Sequence, residues 1–329
     1  MRRPLGVAIV GCGFIGQKRA KILSGCHLVA CVDQVEEKAT ALAAQYSNCV
    51  ALTDALEAIN RADVDIVIIA TLHSTLAEIA LNAVKAGKHV LIEKPGARRA
   101  AELESIIAAA RKTGSLVRIG FNHRYHRTFQ KARELIDQGK LGELMFIRAR
   151  YGHGGRVGYD KEWRAQPALS GGGELIDQGV HLIDLARWFL GDFTEIDGFA
   201  HTYYWDMPVD DNGFLILKTQ KKQVAFLHAS CTEWKNLFSF EIYGRNGKID
   251  INGLGGSYGI EKIIFYKMSP EMGPPETFMW EYPMVDNSWA TEMAEFLEDI
   301  RLKRPPAAGI HDAYAALQVV EKIYGMSNL

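Results

Sequence analysis

Cysteine is scarce in this chain, five residues in 329, and no two of them are spaced as C-x-x-C. Cys12, Cys26, Cys31, Cys49 and Cys231 are also odd in number. That argues against a disulfide framework and against paired-thiol zinc signatures, and no metal site is expected. The cysteines read as reduced, mostly buried small residues of a cytoplasmic protein, with a reactive thiol at Cys12 the lesser alternative. Excess charge is missing too: the formal net charge is −1, which argues against nucleic acid or an anionic membrane as the main partner. No apolar run approaches the ~20 residues a membrane helix needs. Met1-Arg2-Arg3 leads straight into a strand-like run, leaving no hydrophobic signal region. Repeats, linkers and low-complexity tracts are absent.

What is present is an ordinary globular composition, 48% hydrophobic and 23% charged, on a chain long enough for two domains. Residues 7–16 read VAIVGCGFIG. An apolar run, Leu5 to Val10, ends in Gly11, Gly13 and Gly16, and a helix-compatible segment follows at once. This is the G-x-G-x-x-G fingerprint between strand and helix. Gly11 allows the tight turn, Gly13 lets a pyrophosphate approach the backbone, and Gly16 lets helix and strand pack closely. The anion is then expected at the helix N-terminus, beside Phe14 and Ile15. A second apolar run ends in Asp33, placed as the ribose-binding acid should be. A carboxylate there accepts from both ribose hydroxyls and repels a 2′-phosphate, so NAD is expected over NADP.

From residue 5 to about 120, strand-length runs alternate with helix-length ones, the pattern of a parallel doubly wound sheet. The strands are read at Leu5–Val10, His27–Asp33, Val64–Ala70, His89–Glu93 and Leu116–Gly120. The helices are read at Phe14–Leu23, Glu36–Tyr46, Thr75–Ala86 and Arg98–Thr113. After a helix at Thr128–Gln138 and a strand at Glu143–Tyr151, a helix is expected from Glu174 to Leu190. Strand-like runs alone then follow to about residue 282, implying a largely antiparallel sheet with one face on helices. Helices at Ser288–Leu302 and His311–Tyr324 close the chain. The expected domains are 1–121, which binds the dinucleotide, and 122–329.

Glu93-Lys94-Pro95 ends a parallel strand. Pro95 keeps Lys94 out of the helical region. Ligands of open parallel sheets lie beyond the carboxyl ends of the strands, so Lys94 is expected near the nicotinamide. Gly171-Gly172-Gly173 precedes a helix whose Asp177, His181, Asp184 and Trp188 fall on one face. A carboxylate one turn from an imidazole raises its basicity, and such a base can take a hydroxyl proton as hydride leaves. The alternative is a buried structural Asp–His–Asp network.

These residues, with Gly120-Phe121-Asn122-x-Arg124-Tyr125, resemble the glucose-fructose oxidoreductase, inositol dehydrogenase and MocA family over essentially the whole chain. The resemblance implies a Rossmann domain followed by an α/β domain with a large open-faced, mostly antiparallel sheet. That sheet commonly forms the oligomer interface, so a homodimer or homotetramer is expected, with the last helix packing back on the first domain. Lys94, Asp177 and His181 fall on the family's catalytic positions, His181 as proton acceptor and Lys94 positioning the hydroxyl. Thr71, His73, Glu93 and Asn122 are expected to line the cofactor. One departure is the Thr71-Leu72-His73 loop, where relatives usually carry Pro-Asn.

The family acts on hydroxyls of sugars, cyclitols and their activated forms. Arg124, Arg156 and Arg164 are candidates for reading a carboxylate or phosphate, with Tyr151 and Trp163 walling the pocket. A nucleotide sugar, sugar phosphate or uronate is therefore among the expected substrates. Two alternatives remain at this level. One is a lyase or hydrolase that oxidises its sugar transiently, with Tyr151, His153 or Tyr159 as the extra base. The other is a non-catalytic dinucleotide-dependent sensor.

Overall fold

A computed structural model describes residues 3–271 and 273–328; Met1 and Arg2 of the leader reading lie outside them. The chain forms two compact units, residues 1–121 with 289–314 and residues 122–288 with 315–329.

The first unit is built in the order β1 (Leu5–Val10), α1 (Phe14–Lys21), β2 (Cys26–Val32), α2 (Glu36–Ala43), β3 (Val50–Leu52), α3 (Ala55–Ile59), β4 (Ile66–Ile69), α4 (His73–Lys85), β5 (His89–Ile92), α5 (Ala100–Thr113) and β6 (Val117–Ile119). The strands lie side by side as β3-β2-β1-β4-β5-β6, all paired in parallel. The order reverses across β1 and β4, the switch point at which such sheets bind ligands. β4, Ile-Val-Ile-Ile, is buried throughout, as expected for a strand covered on both faces. Residues 289–314 add Met293 and Phe296 to the core around Val7, Ile9, Ile66 and Ile68.

The sequence reading has five strands here and the sheet has six. β3 is three residues long and only partly buried, too short to show a period and lacking the apolar run of a central strand.

The second unit holds α6 (Arg127–Asp137), β7 (Leu144–Gly152), α7 (Pro167–Ser170), a π-helical turn (Leu175–Gly179) continuing into α8 (Val180–Leu190), and then β8 (Phe193–His201), β9 (Asn212–Thr219), β10 (Val224–Ser230), β11 (Leu237–Gly244), β12 (Gly247–Asn252), β13 (Glu261–Lys267) and β14 (Glu276–Tyr282). α9 (Ser288–Leu302) and α10 (Ile310–Ser327) follow. The eight-stranded sheet runs β14-β13-β12-β11-β7-β10-β9-β8. Every neighbour is antiparallel except β10 on β7. Alternation is clean: Leu215, Leu217, Ala225, Leu227, Phe240, Ile242, Ile249 and Ile251 are buried on one face.

Candidate active site

In the first unit the glycine fingerprint forms the turn between β1 and α1. Gly11 has φ of +94°, and its N–H donates to Val32 O at 2.8 Å. A Cβ on Gly16 would lie 1.8 Å from Gly11 O, so helix and strand meet at a distance only glycine allows. Gly13 differs: a Cβ there would touch no protein atom within 4 Å. Protein packing therefore gives no reason for glycine at 13, whereas a pyrophosphate lying against the backbone does. Gly13 is the N-cap of α1, has extended backbone and offers no side-chain cap, so the first helical N–H groups point outward for an anion. Phe14 is exposed and Ile15 half-buried.

Asp33 follows directly after β2. Its Oδ2 accepts from Cys12 N–H at 2.8 Å and its Oδ1 from Val35 N–H at 3.0 Å. Each oxygen keeps acceptor capacity for a ribose hydroxyl. The residues present thus fit a dinucleotide. Thr71 and His73 sit at the carboxyl end of β4, Thr71 accepting from the Thr75 hydroxyl at 2.8 Å and His73 buried in the first turn of α4. Glu93 and Lys94 follow β5, and the Lys94–Pro95 peptide is cis. Glu93 Oε1 accepts from Arg19 Nε at 2.6 Å, while Arg19 Nη1 donates to Glu292 Oε2 at 2.6 Å. This buried triad joins α1, the end of β5 and α9, a structural engagement for Glu93. No sequence signal marked Arg19, because its partners are 74 and 273 residues away.

In the second unit Asp177 lies in the π-helical turn and His181 in the first turn of α8, both buried. The expected helix from Glu174 is therefore irregular in its first part, since the π turn replaces i→i+4 pairing there. Asp210 holds this start. Its Oδ1 accepts from Gly173 N–H at 2.9 Å and its Oδ2 from Leu175 N–H at 2.7 Å. The Tyr324 hydroxyl donates to Oδ1 at 2.7 Å, and Asp210 O takes Glu174 N–H. A Cβ on Gly173 would lie 1.9 Å from Asp210 O, so glycine is what allows this approach. The glycine run before the helix is visible in the sequence; Asp210 is not, since nothing local distinguishes it from its neighbour Asp211.

Each titratable group on the helix face has a named neighbour. Asp177 Oδ2 accepts from Arg164 Nε at 2.8 Å. Asp184 takes both Arg124 Nε at 2.8 Å and Nη2 at 2.5 Å, a buried bidentate pair. The His181 ring stacks on His123, with centroids 3.8 Å apart and planes at 24°. His123 occupies the unspecified position of the Asn122-x-Arg124 motif, which is why the motif did not single it out. Asn122 Nδ2 donates to Ser288 Oγ at 2.9 Å.

The other expected substrate residues fall as follows. Tyr151 is buried against His123 and Phe238, and burial pushes its hydroxyl well above the ordinary range. Arg156 is exposed and pairs with Glu162 at 2.7 Å. Trp163 is half-buried beneath the Arg164 guanidinium, 4.6 Å from the ring centre. Beside them lies a buried acid, Glu174, facing His153 Nε2 and the Tyr159 hydroxyl, each 3.4 Å from Oε2. His153 Nδ1 accepts from Gly155 N–H at 2.9 Å, so both ring nitrogens are engaged. Burial works against the charged imidazole, but the Glu174 carboxylate outweighs it and raises its basicity. Among the described residues a further cluster, His126, Glu261 and Asp286, places three potential ligands within 4.8 Å of one another. Glu261 instead hydrogen-bonds His126 Nδ1 at 3.0 Å and faces Thr128 at the start of α6.

Residues 5–121 match the family described as an oxidoreductase family with an NAD-binding Rossmann fold, and residues 129–250 match the C-terminal domain of the same glucose-fructose oxidoreductase, inositol dehydrogenase and MocA family. The chain belongs to this family. A family relative, inositol 2-dehydrogenase 2 of Saccharopolyspora erythraea, is 30% identical over 66% of this chain and 63% of its own length. The chain thus spans less than two thirds of that relative. Inositol 2-dehydrogenase of Rhizobium meliloti is 28% identical over 95% of this chain and 94% of that protein. Among solved structures of the family, an aldose-aldose oxidoreductase from Caulobacter crescentus complexed with glycerol has a TM-score of 0.86. It is 26% identical, covering 99% of this chain and 98% of that one. Among the described residues no helix is long and apolar enough to cross a membrane.

Proposed function

We propose that this chain is an NAD-dependent dehydrogenase that moves a hydride between a hydroxyl-bearing carbon of a sugar or cyclitol and the nicotinamide. The observation that carries this reading is the fit of the β1–α1 turn and Asp33 to a dinucleotide, above all the glycine at 13 that protein packing does not require. NAD when bound supplies the hydride acceptor. The protein's part is to take the hydroxyl proton and steady the oxygen. His181 is assigned the proton, with Asp177 as the neighbouring carboxylate. Lys94 is assigned the hydroxyl oxygen, where an ammonium positions it and offsets developing negative charge.

The arginine pairings favour a neutral substrate over a phosphate or uronate. Arg124 is committed to Asp184, Arg156 to Glu162 and Arg164 to Asp177. Reading an anion would cost Arg124 and Arg164 a buried carboxylate partner, whereas the exposed Arg156–Glu162 pair is weak. The named substrates of family relatives, inositol and glucosides, are consistent with this. Net oxidation is preferred over transient oxidation because the candidate extra bases are engaged: Tyr151 and Tyr159 are buried with their hydroxyls pushed up, and His153 has both nitrogens bonded.

The test is NADH fluorescence with NAD and a panel of free sugars, inositols, sugar phosphates, uronates and nucleotide sugars. A signal confined to neutral polyols is expected. It should fall by about 10²-fold or more in Lys94→Ala and His181→Ala while NAD affinity is kept. Normal turnover in either variant removes that residue from the mechanism. NAD binding without any product would favour a sensor.

A further inference from the structure

Cys12, Cys31 and Cys49 pack in one core cluster of the first unit. Cys12 is in the turn between β1 and α1, fully buried, with its Sγ donating to Val32 O at 3.4 Å. Cys31 is on β2 and Cys49 immediately precedes β3, where the parallel register sets Ala30 against Val50 and Cys31 against Ala51. The Cys31 and Cys49 sulfurs are 3.6 Å apart, in van der Waals contact and about 1.5 Å farther than a disulfide bond. Cys31 is fully buried and Cys49 half-buried.

The two thiols are unlike. The hydrogen bond from Cys31 holds the Cys49 thiol below its ordinary range, against burial, with help from the Arg61 guanidinium. Hydrogen bonding with Cys12 and Cys49, together with burial, pushes Cys31 up. A half-buried thiol inclined to the thiolate, in contact with a fully buried one that keeps its proton, is the arrangement of an attacking and a resolving thiol.

We propose that Cys31 and Cys49 form a reversible oxidation site that takes hydrogen peroxide as oxidant and weakens dinucleotide binding when closed. The Cys49 thiolate attacks the peroxide oxygen, the O–O bond breaks, and the departing oxygen leaves as hydroxide, which takes up the proton shed by Cys49 to become water, giving a sulfenic acid at Cys49. Cys31 sulfur then attacks Cys49 sulfur, its own proton and the sulfenic hydroxyl leaving as water. In sum two thiols and one peroxide give one disulfide and two waters. The link to binding is short. Cys31 is two residues before Asp33, whose carboxylate holds the N–H groups of Cys12 and Val35. Drawing the two sulfurs together shifts β2 at the end that presents the ribose-binding acid. The oxidation site stands without the dehydrogenase reading; its effect on binding rests on the NAD assignment.

The test exposes the reduced full-length protein to hydrogen peroxide, counts thiols under denaturing conditions and maps peptides without reductant. Two of the five thiols should disappear. A Cys31–Cys49 peptide pair two hydrogens lighter should form, and dithiothreitol should restore both thiols. Cys49→Ser should lose none of its remaining thiols, while Cys12→Ser should still form the link. No loss of thiols, a link through Cys12, or sulfinic acid at Cys49 with Cys31 intact would overturn the site. NAD titration of the oxidised and reduced forms completes the test: affinity should fall several-fold on oxidation and return on reduction. A mapped link with unchanged NAD affinity would overturn its effect on binding and leave the oxidation site standing. Failure of NAD to bind even the reduced protein would instead count against the cofactor assignment.

Discussion

Glu174 sits fully buried among other acids, with Asp177 and Asp210 close by, and burial raises its carboxyl above the ordinary range. Because the folded value lies above the unfolded one, the unfolded chain releases its proton first as pH rises. The stability this group contributes is therefore complete below the ordinary glutamate value of about 4.3. It is lost as pH rises through the raised folded value. Glu174→Gln keeps the shape and removes the charge. Its melting temperature should exceed that of the wild type at about pH 7.5 and match it near pH 4, where the wild-type group is protonated. A variant less stable at both values would mean that the His153 pairing outweighs the burial of charge. Asp33 makes a second residue-level case. Asp33→Ala removes the acceptor for the ribose hydroxyls and for Cys12 N–H, so the preference for NAD over NADP should shrink. Equilibrium binding of both dinucleotides measures this, and an unchanged ratio would sink the assignment.

The turn between Gly171 and α8 shows how a distant side chain builds a functional element. Asp210 collects two N–H groups and the Tyr324 hydroxyl at the start of the helix that carries Asp177 and His181. Asp210→Asn places an amide N–H against one of these donors. The expected cost is about 1–3 kcal/mol of stability, read as a lower melting temperature, with a fall in turnover as the helix start loosens. Full turnover alongside a lowered melting temperature would confine Asp210 to a stabilising role. The same elements show what a sequence can and cannot carry. Strands such as β9 to β12 were legible because one face is buried and the other is not, which writes a period of two into the chain. The parallel pairing of β10 with β7 leaves no such mark, since 70 or more residues separate the partners. Lys94, Asp177 and His181 could be named from local motifs. Arg164, Arg124, His123 and Asp210, which surround the helix residues, come from other segments and become neighbours only in the folded unit.

At the scale of the whole molecule the eight-stranded sheet has an outer face that calls for cover. One row across it, read through successive strand pairings, runs Ile216, Phe226, Arg148, Glu241, Asp250, Ile264 and Met279. Ile216 and Met279 are about half exposed, and Phe226 nearly so, at 50%, 53% and 45%. Phe199 adds a further 50%-exposed aromatic on the neighbouring strand. Arg148 and Glu241 between them are already joined at 2.8 Å, and Lys248 pairs with both Glu241 and Asp250 at 2.7 Å, so the charges at the centre of the row cancel and its flanks are apolar. Two apolar patches flanking satisfied ion pairs fit a self-complementary contact between copies of the chain. A homo-oligomer closed through this face is the expected state, and its mass in solution should be a multiple of the 36.6 kDa chain. Phe226→Glu sets a carboxylate beside Ile216, where an apolar contact would bury it unpaired. Light scattering should then report the monomer mass, with the circular dichroism of the fold kept because the side chain points away from the core. A wild-type mass of a single chain would refute the interface. An oligomer that survives Phe226→Glu would move it to another surface.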